Sequence, residues 1–395
     1  MTEVFPLWGM QTRPYVVRRE YRTESIVSRA GREQRRALRE TPRKSIEFTT
    51  QVIDPLWLTF NQTMADAQRS DWYLPDQSRV VALSNGMAVG DTVTLGAVPA
   101  WAVAGAQIVL RDYDRLERYE IYEVDGLTLT FVETAASEWP VGTLMYPALY
   151  GAIAAELTTA SLLRSALSAT VRFDADPGAD TIEAPLAADE TFNGRDVWRL
   201  RPYRLAPVEI AHNQVREIVD YGQGRVSRYH PEAFAARLWR GAYPTRDSVR
   251  PNEIRSLFDR MQGQAGEFYM PTFERDLVPS VQAGSGTNVL RVAGTAVWQR
   301  FAGSTTYRAV AVYLAGGTVL FNRVTDIDED YGDSVLTFAE NWTQDVPIDA
   351  RISWMPVWRF ATDILEIAFM FNLDKPPKLW SSAMLTFRML EDLDG

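Results

Sequence analysis

Apolar and polar residues alternate along much of the chain, and a period of two is typical of β-strands that bury one face. The clearest alternating segments are 45–52, 118–124, 127–132, 308–314 and 318–324. Short glycine turns lie among them, at Asp125-Gly126, Gly316-Gly317 and Tyr331-Gly332-Asp333. Because an Asp-Gly pair between alternating segments is a strong hairpin signal, we predict a mainly β fold rich in hairpins.

Two segments have the period of a helix instead. The apolar side chains that share one helical face are Ile254, Leu257, Phe258 and Met261 in one segment, and Leu56, Phe60, Met64 and Ala67 in the other. Pro251 suits a first helical turn, and Gly263 suits the position after the last one. We therefore predict two short helices, at about 250–262 and at 55–70.

The chain contains an internal duplication, because six sequence landmarks recur in the same order. The paired segments are 13–15 with 201–203, 46–52 with 232–238, 71–75 with 267–271, 127–133 with 334–340, 145–147 with 354–356, and 169–173 with 385–389. Trp139 and Trp342 follow the fourth pair. Six collinear pairs are hard to explain by chance.

We predict a first repeat at 1–173, a linker at 174–194 and a second repeat at 195–395. Each repeat is expected to be a β-sandwich or barrel-like domain with one short helix, which makes the fold class mainly β with a minor α component. A small all-β module is nested in each repeat, at about 80–145 and about 280–353. The linker is rich in Asp, Ala, Pro and Gly.

One segment has conflicting signals. Residues 152–169 are rich in Ala and Leu, which favours a helix, but their counterpart at 362–373 has the pattern of a strand. We follow the duplication and predict strand, turn and strand. A short helix at 161–167 is compatible with the turn.

Composition argues against most catalytic chemistry. The 395 residues include no cysteine and two histidines, His212 and His230. This excludes disulfides and cysteine nucleophiles and leaves little for a metal site or a His-based triad. No nucleophile elbow, zinc-protease motif or phosphate loop is present. We predict no enzyme activity, no cofactor and no metal site, and we interpret each histidine as a surface or hydrogen-bonded residue.

One dense carboxylate cluster stands out, formed by Asp326, Asp328, Glu329, Asp330 and Asp333. It lacks the ligand order of an EF-hand loop, so we interpret it as a solvated acidic turn. The 45 aromatic residues are spread along the predicted strands, and we expect most of them to pack in cores and interfaces rather than to form a sugar-binding platform.

The net charge of −10 gives the chain no general attraction for nucleic acid, so we expect no nucleic-acid specificity. The charge is uneven, because residues 1–50 contain eleven Lys or Arg and six Asp or Glu. The basic run at 29–44 suits either a solvated face or contact with an acidic partner or phosphates. Of the 41 basic residues 38 are Arg, which favours planar, bidentate pairing at protein interfaces.

Targeting signals are not evident in the sequence. The first ten residues lack a charged segment followed by an apolar one, so we expect no signal peptide. No stretch approaches 18 uninterrupted apolar residues, so we expect no membrane span.

The segment 254–274, IRSLFDRMQGQAGEFYMPTFE, has a helix ending in a glycine turn, then an aromatic strand and a proline. It resembles tail-tip proteins of long-tailed bacteriophages and gene transfer agents. The Arg-rich segment 28–36 and the segments 147–151 and 171–174 look like the Arg-rich strand and the closing strands of that family. The resemblance covers about half of the chain, which departs from the family in being duplicated and in carrying an inserted module in each copy.

The resemblance implies a structural virion protein, a distal-tail-like component of the tail tip or baseplate that forms a ring between the tail tube and the hub. Its implied partners are further copies of itself, the tube protein and hub or other tip proteins. Its implied location is the tail tip of the virion, after synthesis in the cytoplasm of the bacterial host. A trimer of a duplicated chain suits the step from a six-fold tube to a three-fold hub.

Residues expected at interfaces combine the Arg-rich segment with the aromatic pairs of both repeats. They are Arg29, Arg32, Arg35, Arg36, Trp72, Tyr73, Phe268 and Tyr269. Two other functions stay open. One is a carbohydrate- or receptor-binding module of a tail, and the other is a cell-wall hydrolase that uses carboxylates not identified by their spacing.

Overall fold

The computed structural model describes residues 4–5, 14–28, 32–53, 71–112, 115–154, 158–163, 166–178, 185–203, 206–213, 216–224, 226–229, 236–247, 249–372 and 378–392. The fold is mainly β, as predicted. The strands of the first half are β1 (Tyr15–Glu20), β2 (Thr23–Val27), β3 (Glu33–Ala37), β4 (Arg43–Ile53), β5 (Trp72–Pro75), β6 (Val81–Ala82), β7 (Gly90–Thr94), β8 (Gln107–Asp112), β9 (Arg115–Asp125), β10 (Thr128–Ala135), β11 (Leu144–Ile153), β12 (Thr158–Leu163) and β13 (Ala166–Ala175).

The strands of the second half are β14 (Thr191–Phe192), β15 (Arg195–Val197), β16 (Glu209–Asn213), β17 (Glu217–Asp220), β18 (Val226–Tyr229), β19 (Ala236–Thr245), β20 (Phe268–Tyr269), β21 (Val289–Val292), β22 (Ala309–Tyr313), β23 (Val319–Asp330), β24 (Asp333–Phe338), β25 (Arg351–Trp354), β26 (Val357–Phe360), β27 (Ile364–Asn372) and β28 (Lys378–Met389). Two α-helices are described, α1 (Val249–Arg260) and α2 (Ala296–Phe301), together with a 3₁₀ turn at Gln77–Arg79.

Each half contains a larger sheet, called here its parent sheet. In the first half the order is β5–β11–β13–β4–β1, and β12 also pairs with β13. In the second half the order is β20–β26–β28–β19–β16, and β27 also pairs with β28. The two parent sheets therefore have the same order of pairing. Their register differs from two of the predicted pairs, because 46–52 corresponds to 239–245 rather than 232–238, and 169–173 corresponds to 383–387 rather than 385–389.

A parallel contact recurs at the same edge of both parent sheets. The amide of Phe5 donates to the carbonyl of Tyr73 at 2.9 Å, and the amide of Trp198 donates to the carbonyl of Tyr269 at 2.7 Å. Phe5 and Trp198 are both buried. The aromatic pair Trp72-Tyr73 thus has the same position in its sheet as the predicted counterpart Phe268-Tyr269.

A five-stranded module interrupts each parent sheet. Its order is β7–β10–β9–β8–β11 in the first half and β21–β24–β23–β22–β25 in the second. A β-bulge occurs next to Thr130 and Phe131 in one module and opposite Thr337 and Phe338 in the other. Each module has its own apolar core, and Trp139 and Trp342 are buried in these two cores.

The predicted turns are confirmed where the hairpins are tightest. Asp125 faces Thr128 across the turn between β9 and β10, and Gly126 has φ 57°. Tyr331 and Gly332 have φ 51° and 83° between β23 and β24. Positive φ at these positions matches the right-handed twist of the flanking strands, which is why glycine is used there.

The second-half helix is also confirmed. Ile254, Leu257 and Phe258 of α1 are buried in the parent core. Gly263 follows the helix with φ 73°, and its amide donates to the carbonyl of Phe258 at 3.2 Å. The helix predicted at 55–70 lies outside the described residues.

Two predicted boundaries differ from the structure. Residues 158–163 and 166–175 are strands, so the two predicted strands are confirmed there and a helix at 161–167 is wrong for the described positions, while 164–165 lie outside the described residues. β13 continues to Ala175 and β14 begins at Thr191, so both strands extend into the segment 174–194 that was predicted as a linker. Cross-strand pairing explains the extended form of β13, since it is paired with β4 along most of its length.

Candidate functional site: the seam between the halves

One strand joins the parent sheets of the two halves. β1 pairs with β4 of its own half and with β27 of the other half, in both cases antiparallel. The ladder with β27 runs from Tyr15 opposite Phe369 to Glu20 opposite Ile364. A single apolar core includes residues of both parent sheets. We call this junction, with the side chains that follow β1, the seam.

Polar contacts extend the seam beyond the ladder. Arg19 at the end of β1 forms an ion pair with Asp259 of α1 (Nη2 to Oδ2, 3.0 Å), and the Tyr21 hydroxyl donates to the same carboxylate at 3.2 Å. Thr23 donates to Asp363 from its amide at 2.7 Å and from its hydroxyl at 2.8 Å. The first half is therefore tied to the helix and to a loop of the second half.

The hairpin β2–β3 inserts two charged side chains into the second half. Glu33 accepts hydrogen bonds from Arg359 at 2.8 and 3.0 Å. Nε of Arg388 lies 3.3 Å from Oε1 of Glu33. Arg35 forms an ion pair with Glu267 and donates to the carbonyl of Gln264 at 3.3 Å. The side chains of Glu33 and Arg35 are 4% and 7% exposed, so this network is largely removed from water.

The period of β3 places these charges on one face. Residues 33, 35 and 37 are half-buried, and residues 34 and 36 are exposed, because successive side chains in a strand point to opposite faces. An Arg-rich strand with alternating burial can thus present Arg35 to the partner half and Arg36 to solvent.

The pKa values reflect this burial and pairing. Burial opposes ionisation of Glu33, but Arg359, Arg388 and Arg35 outweigh it and hold the pKa of Glu33 below its ordinary value. Burial also lowers the pKa of Arg35, although Glu267 counteracts this effect. A carboxylate surrounded by cations in a buried position is favourable only while the partners stay in place.

Asp259 differs from Glu33 in the direction of its pKa. Burial raises the pKa of Asp259, and Arg19 with Arg255 lowers it by less than the burial raises it. Burial likewise raises the pKa of Tyr21, which stays a neutral hydrogen-bond donor. The two buried carboxylates of the seam therefore differ in the direction of their pKa shift, since the pKa of Glu33 is lowered and the pKa of Asp259 is raised.

The Arg residues predicted at interfaces have three different environments. Arg35 lies in the seam, and Arg32 lies at its margin, where Nε donates to Glu391 at 3.3 Å. Arg36 is exposed on the outer face of β3. Arg29 lies outside the described residues. The structure thus assigns Arg32 and Arg35 to an interface within the chain.

The aromatic residues predicted at interfaces are mostly core residues. Phe268 and Tyr269 are fully buried, and Trp72 is buried in the first parent sheet, so none of these three presents a surface to another protein. Tyr73 is half-buried and packs on Tyr150 with ring centroids 5.2 Å apart. A strand buried on both faces removes aromatic side chains from the surface, which the sequence pattern did not reveal.

Sequence reasoning missed the acidic and basic partners in the second half. Glu267, Arg359 and Asp259 meet the first half only because the chain folds back over more than 200 positions. The available signal was Glu33, an isolated acidic residue in the Arg-rich segment. An acidic residue within an Arg-rich segment is compatible with a buried ion pair as well as with a solvated one.

The other residues considered as candidate sites lie away from the seam. The acidic cluster lies on the β23–β24 hairpin, where Arg291 forms an ion pair with Asp330 and the Ser280 hydroxyl donates to Asp333 at 2.6 Å. His212 is exposed on β16, and His230 lies outside the described residues. Within the described ranges no group of three or more His, Asp or Glu could hold a metal ion. No helix in these ranges is long and apolar enough to cross a bilayer.

A cleft with a volume of about 810 Å³ lies beside the seam. Val17 and Ile367 line it from the two sides of the β1–β27 ladder, and Trp101 lines it from the first module. Its lining is mixed in character, with Arg79 among the polar residues.

Comparison with known proteins provides no family. No protein-family model matches the chain, and no curated protein matches it.

Proposed function

We propose that this chain is a structural ring component of a phage-like tail tip, placed between the tail tube and the hub, and that it acts without catalysis. The proposal combines the resemblance of the segments 28–36 and 254–274 to tail-tip proteins with the geometry of the seam. Its role is to hold other proteins in register. The protein is proposed to occupy the tail tip of the virion after synthesis in the host cytoplasm.

The observation that carries the proposal is the double pairing of β1. Because β1 joins β4 on one side and β27 on the other, the two halves are built side by side in one continuous sheet. The two parent sheets have the same pairing order, and so do the two modules. This correspondence supports an internal duplication, and a lateral joint between equivalent units is the joint that a ring repeats.

The proposed duplication is compatible with the change of symmetry between the tail tube and the hub. Three copies of a chain with two equivalent units place six similar units around an axis while keeping true three-fold symmetry. Such a trimer is compatible with a six-fold tube on one side and a three-fold hub on the other. The tube protein and hub proteins are therefore the proposed partners on the two faces of the ring.

The buried charges of the seam suit a structural role. Glu33 and Asp259 are paired with neighbouring arginines, and Arg35 is paired with Glu267. Their arrangement specifies how one unit sits against the next, which is the best-attested use of buried ion pairs.

Immunoelectron microscopy of purified tailed particles tests the proposal. An antibody to this chain is expected to label the tail end opposite the head, and averaged images of that end are expected to contain three copies. Particles that lack the chain, or that carry it in the head, would overturn the proposed function. Six full-length copies in one ring would overturn the trimer but leave the tail location intact.

A further inference from the structure

The parent sheet of the second half has an edge strand, β16, with one side unpaired among the described strands, and the exposed hairpin β17–β18 follows β16 in the chain. β16 pairs with β19, and no other described strand pairs with it. The hairpin β17–β18 likewise pairs only with itself among the described strands. Ile210, Ile218 and Val226, at positions equivalent to Val17, Ser25 and Glu33, are each at least 40% exposed. Val219 and Tyr229 are exposed on the opposite face of the hairpin, because successive side chains of a strand alternate. Clusters of this kind mark interaction sites.

This surface has a counterpart in the first half that is already occupied. Equivalent residues of the two surfaces differ by a constant number of positions in the chain. The difference that relates Phe5 to Trp198 at the parallel contact also relates β1 to β16 and the hairpin β2–β3 to the hairpin β17–β18. The shift also preserves the pairing within the hairpins. Thr23 faces Ala37 in the first hairpin, and the next pair in that register corresponds to Glu217 opposite Tyr229 in the second hairpin.

Burial distinguishes the two surfaces at equivalent positions. Val17 is 8% exposed, and its counterpart Ile210 is 45% exposed. Glu33 is half-buried in the seam, whereas its counterpart Val226 is exposed. The first-half surface is covered by the second half, and the second-half surface lacks this cover.

We infer that β16 and the hairpin β17–β18 bind the first half of a second copy of this chain, in the way that β1 and the hairpin β2–β3 bind the second half within one chain. The inference specifies the surface of the ring proposed above and rests on that proposal for the presence of several copies. The occupant is another copy because its first parent sheet has an edge equivalent to the one that β1 covers.

That edge is β12, the counterpart of β27. β12 pairs with β13, and no other described strand pairs with it. Within the chain, Val17 faces Ile367 in the β1–β27 ladder. The equivalent antiparallel ladder between copies places Ile210 opposite Thr159 and Ala211 opposite Thr158. An edge strand of this kind is completed by another chain when its backbone groups are free to pair.

Charge complementarity supports the same docking. Arg35 meets Glu267 in the seam, and the equivalent pair between copies is Arg228 with Asp71. Both side chains are exposed within one chain, and Asp71 is oriented by the Tyr150 hydroxyl, which donates to it at 3.0 Å. Opposite charges at equivalent positions favour this register over others.

The buried ion pair of the seam is replaced by apolar residues at the proposed contact. Glu33 meets Arg359, which faces Arg388 on β28. The counterparts are Val226 for Glu33, Ala152 for Arg359 and Asp174 for Arg388, and Asp174 forms an ion pair with Arg172 at 3.2 Å within the first half. A buried pair exchanged as a unit for apolar residues avoids leaving an unpaired charge.

Charge reversal in the full chain tests the surface. Association of the native chain is followed by analytical ultracentrifugation over a range of concentrations. R228E and D71R are each expected to require about tenfold higher concentration to associate, and the double variant R228E/D71R is expected to recover. R300E, an exposed reversal on α2, is the matched control and is expected to behave like the native chain. Equal association of the native chain and both single variants would overturn the surface.

Cysteine cross-linking tests the register without relying on affinity. The chain has no native cysteine, so I210C/T159C introduces the only thiols. Directly opposed strand residues have Cα separations that a disulfide accepts. Oxidation is expected to link chains in I210C/T159C, and a mixture of I210C and T159C is expected to give dimers alone. The control I210C/T325C is expected to remain unlinked.

The outcomes separate this inference from the proposed function. Chains that associate but neither respond to charge reversal nor cross-link would overturn the surface while leaving the ring open. A native chain that stays monomeric and a cysteine pair that stays unlinked would also overturn the surface. Cross-linking in the predicted register, found for a chain absent from tail particles, would support the surface and overturn the tail function.

Discussion

The carboxylate of Glu33 accepts hydrogen bonds from Arg359 Nε at 2.8 Å and from Arg359 Nη2 at 3.0 Å, although 326 positions separate the two residues. Both side chains are about 95% buried, at 4% and 6% exposure. The pair joins the first hairpin to the second parent sheet. A bidentate contact of this kind sets orientation as well as distance, so it defines how the two halves meet.

Removing the charge of Glu33 is expected to destabilise the whole chain. Glu33→Gln leaves Arg359 and Arg388 without their buried counter-ion, and breaking a buried pair in this way costs about 3 kcal/mol in the free energy of unfolding. The measurement is urea unfolding of the full chain. Glu24→Gln, on the exposed face of the same hairpin, is the control and is expected to change stability by less than about 0.5 kcal/mol. Equal stability of the two variants would contradict the role of Glu33.

Acid is expected to weaken the same contact. The pKa of Glu33 is lowered in the folded state, so its stabilising contribution is complete above the unfolded pKa of about 4.3 and is lost as the pH falls through the folded value. Asp259 acts in the opposite sense, because its raised pKa removes an unfavourable contribution as the pH falls. The free energy of unfolding, measured between pH 5 and pH 3, is expected to fall less steeply in Glu33→Gln than in the native chain. Identical slopes would show that Glu33 does not carry this dependence.

A second buried ion pair is expected to hold β4 to the 3₁₀ turn that follows β5 in the first half. Lys44 Nζ lies 2.8 Å from Asp76 Oδ2, and both side chains are buried. Burial opposes ionisation of Asp76, but Lys44 and Arg79 outweigh it and keep its pKa below the ordinary value. Lys44→Met is expected to lower the free energy of unfolding by about 3 kcal/mol.

A double-mutant cycle with Asp76→Asn measures the coupling between Lys44 and Asp76. A coupling energy of about 1 kcal/mol or more is expected for side chains in direct contact. Arg43→Met changes the exposed neighbour and is the control. Additive effects of Lys44→Met and Asp76→Asn would argue that the two residues stabilise the fold separately.

Gly151 is expected to be irreplaceable for a steric reason. A Cβ at this position would lie 2.3 Å from the carbonyl oxygen of Asp174 and 2.8 Å from the Cα of Ala175, because β11 and β13 approach closely there. Gly151→Ala is expected to cost about 1–3 kcal/mol through the forced backbone shift. Gly96→Ala, whose Cβ would meet its nearest neighbour at 3.6 Å, is expected to be nearly neutral in the same thermal unfolding assay. A neutral Gly151→Ala would show that the two strands can separate without cost.

Local features of the fold were predictable because local interactions determine them. The alternation of apolar and polar residues identified β4, β9, β10, β22 and β23, and the glycine turns between them need positive φ values that few other residues adopt. The helix α1 followed from its apolar face, Pro251 and Gly263. The choice of strand over helix at 158–175 needed the comparison of two halves, since propensity alone favoured the wrong structure.

The sequence by itself determined a mainly β chain with short helices, glycine hairpins and an Arg-rich segment near its beginning. Only the tertiary structure decided that β1 joins the two halves, that Arg35 is buried against Glu267, and that Phe268 and Tyr269 are core residues. The physical reason is the distance along the chain over which these contacts act. Periodicity shows which face of a strand is apolar, but the identity of the neighbouring strand depends on the packing of the complete chain.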